Sequence, residues 1–123
     1  MTTQEIVDKC LAALRQMTCL KSHAIGFEPN IHAGDYPIAR IVIDRETRGL
    51  WCVTVAMTIY IGDSIPLHEG DKAREQEARG LAGRALDVLQ AQPGWRVRYL
   101  DTVFDSDRMP GFKIGALRVE ITA

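Results

Sequence analysis

Much of what identifies a function is missing from this chain of 123 residues. The uncharged stretch Leu50–Gly62 (LWCVTVAMTIYIG) runs for 13 residues, whereas a membrane helix takes about 20 apolar ones, so no membrane partner is expected. Neither sign of charge dominates: 15 Lys and Arg face 16 Asp and Glu, for a net charge of −1. That gives no electrostatic reason to bind a polyanion, and with aromatics at only 7% no stacking platform is evident, so no nucleic-acid binding is expected. There is no GxxxxGK[ST], no GxGxxG after a strand, no GxSxG and no HExxH, the short patterns that carry nucleotide, acyl-transfer or zinc chemistry. Three cysteines (Cys10, Cys19 and Cys52) are an odd count and read as free thiols of a reducing cytoplasm rather than a disulfide framework. The N-terminal MTTQEIVDKCLAAL carries acids within its apolar pattern and no basic leader, so a cytoplasmic chain is expected.

What is present is the patterning of one globular domain, 1–123, with 46% hydrophobic and 25% charged residues. Thr2 and Glu5 have capping-box spacing, and Ile6, Val7, Cys10, Leu11, Leu14 and Met17 follow at helical spacing. Residues 18–34 read as a loop or a short edge strand. Pro37 sits at the start of a strand over Ile38–Asp44, the tolerated place for a residue without a ladder donor. Arg45–Gly49 reads as a charged turn into a long strand, Leu50–Gly62, rich in the branched and aromatic residues that suit a pleated surface. A second helix is expected from Lys72 to about Ala91, capped by Asp71 and ended by Pro93-Gly94. Within it Gly80 and Gly83 cost helix propensity, for which close approach of another backbone would compensate. Trp95–Phe104 and Phe112–Thr122 complete the set, with a bulge expected near Tyr99–Asp101, where the apolar parity switches. The expected fold is therefore α+β, in the order α-β-β-α-β-β: a mainly antiparallel sheet of two hairpins with two helices packed on one face.

Alternate residues of a strand face opposite sides. Trp51, Val53, Val55, Met57, Ile59 and Ile61 form one stripe of the long strand and read as core. The other stripe, Leu50, Cys52, Thr54, Ala56, Thr58 and Tyr60, is uncharged although the helices leave it open. A wet strand face usually carries Lys or Glu, so this stripe is expected to be covered, and its residues are candidates for a subunit interface. Arg40, Arg45 and Arg48 cluster on the first hairpin and are candidate contacts to other proteins, since arginine is enriched at interfaces.

Sites for chemistry are thinner. Cys19, His23, His32 and Asp35 contain metal-ligating types but not at a recurring spacing, and no metal or cofactor is expected. Asp101, Asp105 and Asp107 surround a turn, where acids commonly serve the turn itself. The rival functional reading is a small α+β enzyme or ligand-binding subunit that uses the loop histidines His23, His32 and His68 with these acids.

Asp35-Tyr36-Pro37-Ile38-Ala39 opening a strand, Trp51 beginning a long strand that ends in Tyr60-Ile61, a Pro-containing loop, then a helix and a final hairpin together resemble the tail terminator proteins of long-tailed bacteriophages, the small lambda U-type family. The similarity covers most of the chain. It implies a non-enzymatic ring, typically a homohexamer, that caps the tail tube, ends its polymerisation and presents a surface to the head–neck connector. The implied partners are further copies of the chain, the tail tube protein and the connector. The implied location is the host cytoplasm during assembly and the virion tail afterwards.

Overall fold

The reciprocal bonds expected of Thr2 and Glu5 start helix α1 (Thr3–Leu14): Glu5 N–H donates to Thr2 Oγ1 and Thr2 N–H to Glu5 Oε1, both at 3.1 Å. These satisfy two of the backbone donors that a helix start leaves orphaned. The computed structural model describes residues 1–26, 31–63, 70–104 and 113–123, the side chains of residues 33 and 70–75 excepted. After α1 come β1 (Ser22–Ile25), a short 3-10 turn (Ala33–Asp35), β2 (Ile38–Arg48), β3 (Val53–Asp63), α2 (Gly70–Ala91), β4 (Arg96–Phe104) and β5 (Lys113–Thr122). Phe27, Pro29, Pro66, His68, Asp105, Asp107, Arg108, the Pro110-Gly111 turn and Phe112 lie outside the described residues.

The class is α+β, and the sheet is mixed rather than wholly built of hairpins. Its order is β1-β2-β3-β5-β4, with β1 parallel to β2 and the remaining pairs antiparallel. The element order is thus α-β-β-β-α-β-β. The extra edge strand is only four residues long, too short to show a periodicity. It is held along β2 by backbone bonds, Lys21 N–H to the Pro37 carbonyl at 2.8 Å and Gly26 N–H to that of Ile41 at 2.7 Å.

Both helices lie on one face, as expected. Ile6, Val7, Cys10, Ala13 and Leu14 of α1 and Leu81, Ala82, Ala85 and Leu89 of α2 pack with Ala39, Ile41, Met57, Ile59, Ile61, Leu117, Val119 and Ile121 of the sheet in a single buried cluster. The bulge in β4 falls where the parity switch put it, between Tyr99 and Asp101.

Several boundaries differ from expectation. Arg45–Arg48 belong to β2 and do not form a turn; a second bulge, at Asp44, shifts their register against β3. β3 starts at Val53, and Trp51 precedes it instead of opening it. At that start Val53 and Ala123 exchange backbone bonds of 2.8 and 3.0 Å. Helix α2 begins one residue before Asp71, the expected cap. Finally, a Cβ added to Gly80 or Gly83 would meet nothing within 4 Å. The close backbone approach expected at these glycines is not made within the described chain.

Candidate interaction surfaces

Residues directly opposite in an antiparallel ladder share a face, so the register reads out the helix-free side of the sheet row by row. One row is Arg45, Ala56, Glu120 and Arg98, from β2, β3, β5 and β4. Glu120 accepts from Arg45 Nη2 on one side and from Arg98 Nη1 on the other, each at 3.4 Å. Ala56 is small enough to let the Arg45 side chain cross β3 to reach it. In the next row Thr58 lies beside Arg118, which donates to Asp101 Oδ2 at 3.3 Å, while the Thr58 hydroxyl donates to Asp44 Oδ2 at 2.6 Å. Between these rows is a hollow of about 280 Å3, walled by Asp44, Arg45, Leu100, Arg118 and Glu120 with Ala56 on its floor. Towards the hairpin tip the hydroxyls of Thr54 and Thr122 are 3.0 Å apart.

At the other end the same face is packed by its own chain. Tyr36, Ile38 and Ile114 are buried together, with Ile31 and Tyr60 against them. Arg40 is 2% exposed. Its Nη1 donates to the carbonyls of Ser22 and Ala39, at 3.1 and 3.0 Å, and its Nη2 to the Ser22 hydroxyl at 2.7 Å.

The expected interface stripe therefore separates into three kinds of position. Thr58 is buried, Thr54, Ala56 and Tyr60 are half-buried, and Leu50 and Cys52 are exposed. The cover inferred for this stripe is supplied by side chains of β2, β4, β5 and the segment before β2. Of the three arginines proposed as partner contacts, Arg40 is a correction: it is spent on anchoring β1 and offers no surface. Arg45 and Arg48 do face solvent, with Arg48 Nε 2.5 Å from Glu46 Oε1 on the helix side of β2. That contact is the main reason the Glu46 carboxyl titrates below its usual range.

The resemblance residues also divide. Asp35 closes the 3-10 turn by donating its N–H to the His32 carbonyl at 2.9 Å, Tyr36 joins the small cluster, and Pro37 supplies the carbonyl that aligns β1. All three have local structural work. Trp51, assigned above to the core stripe, is instead 95% exposed, and its neighbour Leu50 is 94% exposed. Both sit on a turn in which Gly49 N–H donates to the Cys52 carbonyl at 2.8 Å. Sequence reasoning missed this tip because an uncharged run reads as continuous strand; the glycine at 49 was the available signal of a turn.

No protein-family model matches this chain, and no curated protein matches it in sequence.

Of the residues considered for catalysis or metal binding, Cys19, His32 and Asp35 are exposed and His23 is half-buried on β1. Among the described residues no three His, Cys, Asp or Glu side chains gather as a metal site. Asp101 is engaged by Arg118, as above. His32 Nδ1 accepts from Gly34 N–H at 3.0 Å, which fixes the ring to its own turn. Burial and the positive charges of Arg15 and Arg40 hold the His23 imidazole below its usual pKa. Cys10 lies against Met57 with its sulfur 3.7 Å from Sδ, and burial pushes its thiol up to about 12, so it is an inert packing group.

A second hollow, of about 300 Å3, opens on the helix side between α2 and β4. Arg79, Ala82, Gly83 and Leu86 of α2 form one wall and Tyr99, Thr102 and Phe104 the other. Among the described residues no helix is long and apolar enough to cross a membrane.

Proposed function

We propose that this chain is a structural assembly subunit of the tail-terminator type. Copies close into a ring, typically of six, that caps a phage or prophage tail tube, stops its growth and offers its other face to the head–neck connector. The observation that carries this reading is the tip of the β2–β3 hairpin, where Leu50 and Trp51 stand 94% and 95% exposed side by side. Burying a leucine contributes about 1.5–3 kcal/mol and an aromatic residue more, so a domain this small forgoes much by leaving both in water. Adjacent large apolar groups on a projecting turn have the form of an assembly anchor. The ion-paired rows of the open sheet face add a polar surface suited to reversible docking, since such pairs set orientation more than strength. The order of elements, with its Asp35-Tyr36-Pro37 strand opening, adds the resemblance given above.

Native mass spectrometry and negative-stain microscopy of the purified chain at high micromolar concentration test the reading. A ring, or a stoichiometric complex with tail-tube ends, is the expected result. A strict monomer that ignores tube ends would overturn it.

A further inference from the structure

We infer that Leu50 and Trp51 of one copy seat in the hollow between α2 and β4 of the next copy, and that this is the contact that closes the ring. The inference rests on the assembly reading and names its interface.

One strand, β5, separates the anchor's hairpin from the receptor's strand. The tip joins β2 to β3, whereas the hollow lies along β4, beyond β5, at the opposite edge of the sheet. A contact between two different patches on identical subunits is heterologous, and heterologous contacts generate rings when their rotation closes. The receptor suits its occupant. Leu86, Tyr99 and Phe104 give it apolar walls, Arg79 is the one charged residue lining it among those described, and at about 300 Å3 it has room for an aromatic side chain. Gly83 leaves its α2 wall open, since a Cβ there would meet nothing within 4 Å. This vacant turn, unexplained by packing inside the chain, is what an incoming indole would use.

The competing receptors fit less well. The hollow on the open sheet face is walled by Asp44, Arg45, Arg118 and Glu120, and an indole there would displace charged groups from their partners. The hollow between the end of α1 and α2 is lined by Gln16, Met17, Thr18, Cys19, Arg84, Asp87 and Val88, so these residues offer an indole no aromatic wall and set two charged side chains against it. Extension of the sheet from copy to copy is opposed by the edges themselves. β4 and the outer half of β2 each carry a bulge and several charges, which are standard protections against edge pairing.

The area involved also sets the strength. An aromatic side chain buries about 150–250 Å2, so Trp51 with Leu50 supplies roughly half of the ~800 Å2 per partner found in a standard stable interface. One such contact is weak, and a closed ring in which every subunit makes two is stable. Assembly is therefore expected to be steeply concentration-dependent.

Cys52 at the tip provides the test. In a Cys19→Ser background, Gly83→Cys places a thiol on the receptor wall, and Cys10 is buried out of reach. Mild oxidation at ring-forming concentration should give a ladder of disulfide-linked multimers, absent when Cys52→Ser is added. In parallel, Leu50→Ser/Trp51→Ser should raise the concentration needed for assembly at least tenfold while leaving the circular dichroism of the monomer unchanged. If rings form but neither the ladder nor the tenfold shift appears, the tip-to-groove contact is wrong and the ring reading stands. If the unmodified chain never assembles, both fall.

Discussion

Up to Gly62 the two faces of β3 are equally uncharged in sequence and are covered in opposite ways. Val55, Met57, Ile59 and Ile61 meet the apolar stripes of both helices and are at most 1% exposed. Thr54, Ala56 and Thr58 are instead roofed by long charged or polar side chains reaching in from neighbouring strands, with Arg45 and Arg98 both held by Glu120. An arginine stem is apolar for most of its length while its guanidinium stays wet, so it shields an uncharged strand without a foreign partner. An uncharged central strand thus says that it is covered, and the residues across the ladder say by what.

Truncation on the helix side should separate the faces most strongly. Ile59→Ala removes fully buried methyl groups between both helices and should cost about 2–5 kcal/mol, read as a lowered urea midpoint at unchanged slope. Ala56→Glu on the other face adds a carboxylate beside Glu120 that competes for Arg45. It should cost about 1 kcal/mol or less in the same assay, with a native circular dichroism spectrum. Thr54→Lys should behave alike. A loss for Ala56→Glu as large as that for Ile59→Ala would erase the distinction and make the open face ordinary core.

Legibility in the sequence followed the range of the physics. The capping box, the apolar stripe of the first helix and the β4 bulge rest on neighbours within a few residues, and each stands where its pattern put it. Features that depend on distant partners were misplaced. Arg40 looked like a surface arginine because nothing nearby in sequence announces that Ser22 will lie beside it. Trp51 looked like core for a nearer reason: the turn closed between Gly49 and Cys52 falls inside an uncharged run. The receptor hollow could not be read at all, because it exists only where α2 meets β4.

A smaller effect tests whether the charged roof contributes stability or only cover. Glu120→Gln leaves Arg45 and Arg98 without their shared carboxylate. Both arginines are largely solvated, and exposed pairs contribute about 0–1 kcal/mol. The expected loss in thermal midpoint is small and should shrink further in high salt, where such interactions are screened. A loss comparable to that of Ile59→Ala, insensitive to salt, would mean that the roof is structural.

The smallest expected effect lies at the sheet edge, where His23 pairs with Ala39 and so faces the helix side, near the end of α1. Burial first, then the charges of Arg15 and Arg40, hold its folded-state pKa below the usual value, against the opposing pull of the nearby backbone of Met17 and Leu14. Its Nε2 is buried without a partner. Between the folded and unfolded pKa values the unfolded chain binds more protons, so stability rises with pH there. The stabilisation is complete above the unfolded value of about 6.5 and is lost as pH falls towards the folded one. The lowered carboxyls of Glu5 and Glu46 act in the same sense but only below about 4.5, so the window from about pH 6.5 to 5 isolates the imidazole. Urea midpoints of the native chain should decline across that window, and those of His23→Gln, whose side chain does not titrate, should decline less. Parallel curves for the two proteins would remove His23 from the account and leave the edge strand held by Arg40 and the backbone alone.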